Sequence, residues 1–250
     1  YATCYDEIPG LYGLMPEIEN SCTFVQSGRN PSLFQDLTTA SYGENKMNVA
    51  ILGVSDTFFD FFTFPLSEGD PENVLTSRNS VVISEKMALT LFPDGDAIGK
   101  EINVFERNPM GIYAPDEAYE DFDLDLIVTG IFKPFGRTVF IEPDMIMRAD
   151  LIQEKQYAMF RGGMRIAEYS FVKLSDGTDI DALKETITKE FMKDGVSKYR
   201  GSDFKLEIQL TPFGDIKKMN PAYGYAFDNI RQSRLFGIYL LMCIFIAIVS

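Results

Sequence analysis

Polar and hydrophobic residues alternate along several stretches of the chain, and this period of two predicts β-strands. Residues 122–132 are the clearest case, because Phe122, Leu124, Leu126 and Val128 share one face while acidic residues largely occupy the other. Other short runs, rich in β-branched or aromatic residues, predict further strands. These runs are residues 18–26, 48–54, 79–84, 99–105, 139–147, 168–174 and 204–210.

Other stretches repeat their apolar residues at intervals of three and four, which predicts amphipathic helices. The clearest are residues 5–15, residues 85–92 after the capping residue Ser84, and residues 179–193. The last of these helices lies between two predicted strands, so the C-terminal third has the order of a βαβ unit. This order of elements predicts an α+β layered domain.

Two stretches have a less regular pattern. Residues 28–43 are polar and are predicted to form a loop, with a short helical turn near residues 33–37. Residues 58–62 (FFDFF) follow a strand and are predicted to form a short helix that Ser55 and Asp56 can cap. Because Phe is most often buried, we interpret this aromatic stretch as core packing at the junction of two subdomains.

Residues 235–249 form an apolar run of fifteen residues without a charge. A membrane-spanning helix needs about 20 such residues, so the run predicts the beginning of a transmembrane helix. A buried core helix and a C-terminal lipid-anchor signal are the alternatives. Arg231 and Arg234 precede the run, a flank that the positive-inside tendency places in the cytoplasm. The residues predicted to be embedded in the membrane are Leu240, Leu241, Ile244, Phe245 and Ile248.

Composition and charge exclude several classes of function. The formal net charge is −14, and nucleic-acid binding needs Lys and Arg to neutralise phosphates, so no nucleic-acid partner is expected. The chain has no His, which excludes His-based catalytic triads and His metal sites. Of its three Cys, Cys243 lies in the apolar run. Cys4 and Cys22 are predicted either to pair in an oxidising compartment or to be two buried thiols.

Motifs for chemistry are missing from the sequence. Neither a phosphate-binding GxxxxGK[ST] nor a nucleophile-elbow GxSxG occurs. Asp121, Asp123 and Asp125 have the D-x-D-x-D start of a calcium loop, but Leu126 and Phe132 stand where Gly and Glu are required. We interpret these acidic residues as the solvated face of a strand. The sequence therefore predicts neither a metal site nor an enzyme.

Several segments, taken in order, resemble a known family. Residues 81–88 (VVISEKMA), 91–93 (LFP) and 97–102 (AIGKEI) are similar to the signature of the periplasmic core domain of MacB/FtsX-type ABC transporter permeases. The terminal apolar run is similar to the start of that family's second transmembrane helix. Further matching segments are residues 51–54 (ILGV), 58–59 (FF), 65–70 (PLSEGD), 128–132 (VTGIF) and 173–183.

The resemblance implies a specific domain organisation within the α+β class. A porter-like subdomain that contains a βαβ unit would be built from residues 1–64 and 145–230. Residues 65–144 would form an inserted, mostly-β subdomain. Residues 235–250 would be the truncated start of transmembrane helix 2.

The resemblance also implies a function. The permease would transmit ATP-driven motion across the membrane to move or release an extracytoplasmic substrate, or to regulate a partner. ATP would bind to a separate nucleotide-binding domain or subunit, so no cofactor is expected in this chain. The expected partners are the cognate ABC ATPase subunit, a second permease copy, membrane lipid, and a periplasmic protein or a peptide or lipoprotein substrate.

The expected location is the bacterial inner membrane, with this region on the periplasmic or extracellular side. The alternative interpretation is a membrane-tethered periplasmic binding or sensor module without transport activity.

Overall fold

The computed structural model describes residues 13–28, 38–106, 121–133, 143–152, 168–193, 210–213 and 215. The chain divides into two compact units. One unit consists of Ala2–Pro134 and Pro143–Ile208, and the other of Tyr1, Phe135–Glu142 and Gln209–Ser250. Every strand and helix named below belongs to the first unit.

Strands dominate the described residues. The strands are β1 (Ile18–Gly28), β2 (Thr38–Tyr42), β3 (Asn45–Asn48), β4 (Ala50–Val54), β5 (Leu66–Glu68), β6 (Ser80–Ser84), β7 (Glu101–Glu106), β8 (Phe122–Phe132), β9 (Met145–Arg148) and β10 (Glu168–Leu174). The helices are α1 (Phe58–Phe61), α2 (Glu85–Leu91) and α3 (Ile180–Lys193). Residues 149–152 form a further helical turn directly after β9.

The strands form one mixed sheet. Nine of them lie in the order β10-β1-β4-β9-β6-β8-β7-β2-β3, and β5 pairs with β8 outside this path. The pairs β4–β9 and β6–β8 are parallel, and the remaining pairs are antiparallel. Strand β9 divides the path in two. We call β10, β1 and β4 the β1 side, and β6, β8, β7, β2 and β3 the β8 side.

The main hydrophobic core includes one face of the β8 side, together with Met87 and Leu91 of α2. Strand β8 shows how the sequence sets this arrangement, because its side chains alternate between buried and solvent-facing positions. Leu126 and Val128 are fully buried, whereas Asp123 and Asp125 on the opposite face are exposed.

The structure confirms several of the predicted elements. The described strand β8 has the predicted bounds, and β10, β6 and α3 begin within one residue of the predicted positions. The fold is a mixed α/β fold dominated by its sheet. The finer division into a porter-like part and an inserted part stays a prediction. Strands from both predicted parts pair with one another, since β2 pairs with β7 and β9 pairs with β6.

Two predictions about strands need correction. Residues 38–42 form strand β2, whereas the sequence predicted a loop there. Its small and polar residues give little local signal, and pairing with β3 and β7 stabilises the strand. Of the strand predicted over residues 139–147, residues 143 and 144 precede the strand β9 (Met145–Arg148), and residues 139–142 lie outside the described residues.

The predicted terminal membrane helix also lies outside the described residues, as do Leu240, Leu241, Ile244, Phe245 and Ile248. In the part of the chain that the structure describes, no helix is long and apolar enough to cross a membrane. The membrane helix therefore stays a prediction.

Candidate functional site

Segments that resemble the family signature lie side by side around β8. Residues 80–84 form β6, which runs parallel to residues 127–132 of β8. The turn before β7 closes on the same strand, since Gly99 N donates to Val128 O at 2.7 Å and Val128 N donates to Lys100 O at 2.9 Å. Separate pieces of the sequence signature therefore form one structural unit, which we call the signature node.

Gly69 brings another signature segment against this node. Its φ is 103°, and a Cβ at this position would lie 2.8 Å from Thr129 O and 2.9 Å from Gly130 Cα. Thr129 Oγ1 donates to Val74 O at 2.6 Å, which holds the turn after Gly69 on β8. Only glycine has both the required backbone conformation and the small size. Packing thus explains the glycine at this position.

Asp144, directly before β9, joins both sides of the sheet. Its backbone N donates to Ala50 O at 2.9 Å, and its Oδ2 accepts from Ala50 N at 2.9 Å. Its backbone O accepts from Ser84 N at 2.8 Å. The carboxylate is buried, and Lys86 Nζ lies 3.6 Å from Oδ1. One residue therefore bonds to the start of β4 and to the end of β6.

Ser84 connects this arrangement to α2. Its Oγ accepts from Met87 N at 3.1 Å, so it is the N-cap of α2 that the sequence predicted. The same residue donates its backbone N to Asp144. The first turn of α2 is consequently fixed to β9, and Lys86 in that turn faces the Asp144 carboxylate.

Cys22 on β1 is a free, buried thiol. Ser55 Oγ donates to Cys22 Sγ at 3.5 Å, accepts from Thr23 N at 3.1 Å, and lies 2.9 Å from Thr57 Oγ1. Burial raises the pKa of Cys22 to about 12, so the reactive thiolate is scarce at neutral pH. Of the two predicted alternatives, Cys22 is a buried thiol; Cys4 lies outside the described residues.

Aromatic rings around α1 touch both sides of the sheet. Phe62 meets Phe171 of β10 at a centroid distance of 5.5 Å, and Phe64 meets Phe132 of β8 at 5.6 Å. The rings of Phe58 and Phe64 are 5.3 Å apart, and those of Phe58 and Phe62 are 5.5 Å apart. We call these five residues the aromatic cluster. Phe58 is buried as predicted, while the other rings of α1 are half-buried.

Exposed acidic residues on β8 pair with a neighbouring amide. Asn103 Nδ2 donates to Asp123 Oδ1 at 2.7 Å and to Asp125 Oδ1 at 3.0 Å. These carboxylates lie on the solvated face of the strand, as predicted. Within the described residues, no three His, Cys, Asp or Glu side chains are grouped so that they could hold a metal ion.

Sequence reasoning missed the roles of Asp144 and Thr129. Asp144 follows a proline and precedes the apolar residues of β9. A lone acid at the start of an apolar run is a sequence signal that could have indicated a structural role for Asp144. Its partners are 94 residues away for Ala50 and 60 residues away for Ser84, so spacing could not identify them. The Thr129 hydroxyl lies within a β-branched strand and gives no local signal.

Comparison with known proteins identifies the family that these segments resemble. Residues 12–190 match the MacB-like periplasmic core domain. The chain therefore belongs to the family of MacB-like periplasmic core domains, the periplasmic part of ABC transporter permeases of the MacB/FtsX type. This finding confirms the family that the sequence signature indicated.

Two relatives illustrate the likeness. An uncharacterized ABC transporter permease, YvrN, of Bacillus subtilis (strain 168) is 29% identical over 169 residues, which are 56% of this chain and 38% of that protein. A domain of a protein described as a permease from Porphyromonas gingivalis has the same fold, with a TM-score of 0.54 and 18% identity, over 77% of each chain. This chain thus spans well under half of the length of its curated relative.

Proposed function

We propose that this domain transmits ATP-driven motion within an ABC transporter permease to the extracytoplasmic side of the membrane. In this proposal the chain is not catalytic. A cognate ATPase domain or subunit binds ATP in the cytoplasm, and two permease copies act together. The motion moves or releases an extracytoplasmic substrate such as a peptide or lipoprotein, or regulates a periplasmic partner. Family membership supports this role, as does the name of the Bacillus relative.

The observation that carries the proposal is the continuity of the sheet. Backbone hydrogen bonds connect every neighbouring pair of strands from β10 at one edge to β3 at the other. Close-packed protein interiors are barely compressible and transmit strain. A displacement applied to the β1 side would therefore reach the β8 side without a flexible linker between them.

Two further contacts support transmission between the sides. The aromatic cluster forms a row of rings from Phe171 on β10 to Phe132 on β8. Asp144 hydrogen-bonds to β4 and to β6 at the same time. Rings in edge-to-face or offset contact, and a buried carboxylate with several bonds, both favour one fixed arrangement.

The test uses the full-length permease with its ATPase in nanodiscs. A nitroxide label replaces the exposed Asp176 in each copy, and pulsed electron spin resonance measures the distance between copies with and without ATP. We expect ATP to change this distance. A label pair within one copy, at Asp176 and Glu101, should keep the same distance because the sheet moves as one body.

An ATPase partner that cannot bind ATP is the control, and it should abolish the change between copies. An unchanged distance in every nucleotide state would refute the proposal and would favour the binding or sensor module instead.

The location of the domain is tested separately. Leu89→Cys, at a position that is 74% exposed, should react with a membrane-impermeant maleimide added outside intact cells.

A further inference from the structure

The structure assigns Asp144 a role as the clamp that holds the β1 side and the β8 side of the sheet in one fixed arrangement. Strand β9 lies between the two sides and has only four residues. It pairs with β4 over four residue pairs and with β6 over three. These short ladders make the region around β9 the place where added bonds matter most.

Asp144 extends the β4–β9 and β6–β9 ladders by one residue at the N-terminal end of β9. Both backbone groups of Ala50 bond to Asp144, because Ala50 N donates to Oδ2 and Ala50 O accepts from the backbone N, each at 2.9 Å. On the other side, Ser84 N donates to the backbone O at 2.8 Å. The backbone of Asp144 thus bonds to both strands, and the carboxylate adds a second bond to β4 by accepting from Ala50 N as a peptide carbonyl would.

The environment of Asp144 favours a rigid contact. Its side chain is 8% exposed, and Ala50 is 2% exposed, so water competes poorly for these bonds. Lys86 Nζ, at 3.6 Å, supplies the compensating charge that a buried carboxylate needs. Lys86 itself belongs to α2 and is largely exposed, so the ion pair also connects α2 to this point.

The clamp goes beyond the proposed transport role, because it concerns the arrangement of the two sides of the sheet and needs no ATP. A failure of the nucleotide experiment would therefore leave it standing, and its own failure would leave the transport proposal standing. It predicts that loss of the Asp144 carboxylate loosens the β1 side relative to the β8 side, while each side keeps its own structure.

Pulsed electron spin resonance on the whole chain in detergent tests the clamp. Nitroxides replace Asp176, two residues after β10, and Glu101 on β7, in a background with Cys4→Ser, Cys22→Ala and Cys243→Ser. Six strand spacings of about 4.8 Å separate β10 from β7, or about 29 Å, which suits the method. We expect a narrow distance distribution with Asp144 intact and a clearly broader one in Asp144→Ala.

Thr129→Val is the matched control. It also removes side-chain hydrogen bonding, but the Thr129 hydroxyl and both of its acceptors, Val74 O and Val81 O, lie on the β8 side. The clamp predicts that this variant keeps the narrow distribution. Equal widths in Asp144→Ala and Thr129→Val would overturn the proposal, because Asp144 would then be an ordinary stabilising residue.

Amide hydrogen exchange provides a second measurement. Loss of the carboxylate should speed exchange at Ala50 N by about tenfold or more, since a bond to a charged acceptor is among the stronger ones. The increase should extend to amides of both β4 and β6. If Asp144→Ala does not fold, Asp144→Leu decides the matter, because Leu keeps side-chain volume but offers no acceptor to Ala50 N: a broader distribution than in Thr129→Val supports the clamp, and an equal one overturns it.

Discussion

The two sides of the sheet differ in part of their packing. On the β8 side, Val81, Ile102, Leu126 and Val128 are each at most 1% exposed and form part of an aliphatic core. On the β1 side, the contacts include hydroxyl groups around Cys22 and a stack of Phe24 on Phe171 at 5.1 Å. The aliphatic core also includes Val25 of β1 and Ile51 of β4, so the difference is clearest at the outer strand β10, whose described side chains are half-buried or exposed.

This difference indicates how the two halves respond to change. A fully buried aliphatic core leaves no room to relax, so loss of a side chain creates a cavity. A half-buried ring on the outer strand β10, such as Phe171, loses less when it is shortened. We therefore expect substitutions in the buried strands of the β8 side to cost more stability than substitutions in the outer strand β10 of the β1 side.

The largest effect should come from a cavity in the β8 side. Leu126→Ala should lower the free energy of unfolding by about 3–5 kcal/mol, because Leu126 is 1% exposed. Phe171→Ala on the half-buried β10 ring should cost less, about 2 kcal/mol. Urea denaturation followed by circular dichroism measures both values. Leu89→Ala, at an exposed position, is the control and should change stability little. A reversed order would show that the comparison is wrong.

The next effect concerns the close approach at the signature node. Gly69→Ala should lower the free energy of unfolding by about 2–3 kcal/mol, since it adds strain at φ 103° and brings a Cβ to 2.8 Å from Thr129 O. Gly95→Ala isolates the strain alone. Gly95 has φ 85° with open space around its Cβ position, so that variant should cost about 1 kcal/mol. Equal losses in thermal or urea denaturation would mean that the close approach contributes nothing.

A smaller effect is expected at the N-terminus of α2. Ser84→Ala removes the acceptor for Met87 N and should cost about 1 kcal/mol, the usual value for a lost N-cap. Thr90→Ala on the same helix is the control, because its exposed hydroxyl bonds only to Lys86 O within the helix. We expect Thr90→Ala to lower the free energy of unfolding, measured by urea denaturation, by less than half as much as Ser84→Ala does. A loss in Ser84→Ala no greater than in the control would show that the cap is not stabilising.

Local pattern predicted much of this fold from the sequence. The alternation in residues 122–132 gave the bounds of β8, and Ser84 was predicted as a cap because capping depends on residues only three apart. Strand β2 escaped prediction because its residues TTASY are stabilised by pairing with β7, more than 60 residues away. A pattern within one stretch contains no information about such a partner.

The same dependence on partners that are distant in sequence explains why the contacts of the candidate site were not predicted. The signature segments identified the family, yet their sequence did not show that Gly69 meets Thr129 or that Asp144 meets Ala50. These contacts depend on the register of strands that are distant in sequence. Residue types gave the chemistry that each side chain offers, and only the assembled sheet showed which groups meet.

The smallest effect should come from the exposed edge of the β1 side. Lys173 Nζ lies 2.7 Å from Glu19 Oε2, and this hydrogen bond lowers the pKa of Glu19 below 4.5 and raises the pKa of Lys173 above 10.5. The contribution of Glu19 to the stability of the folded state is present above pH 4.5, and it is lost as the pH falls through the lowered pKa of Glu19. The Lys173 contribution is present below pH 10.5 and is lost as the pH rises through its raised value.

Glu19→Gln should therefore reduce stability only between these limits, and by a small amount because exposed ion pairs are weak. Urea denaturation of the unchanged protein and of Glu19→Gln at pH 3, 7 and 11 measures the difference in their free energies of unfolding. This difference should appear at pH 7 and shrink at high salt. Glu44→Gln, at another exposed position, should show no such window. An equal difference at all three pH values would mean that the pair does not stabilise the edge. A difference at pH 7 larger than that of Leu126→Ala would reverse the comparison of the two sides.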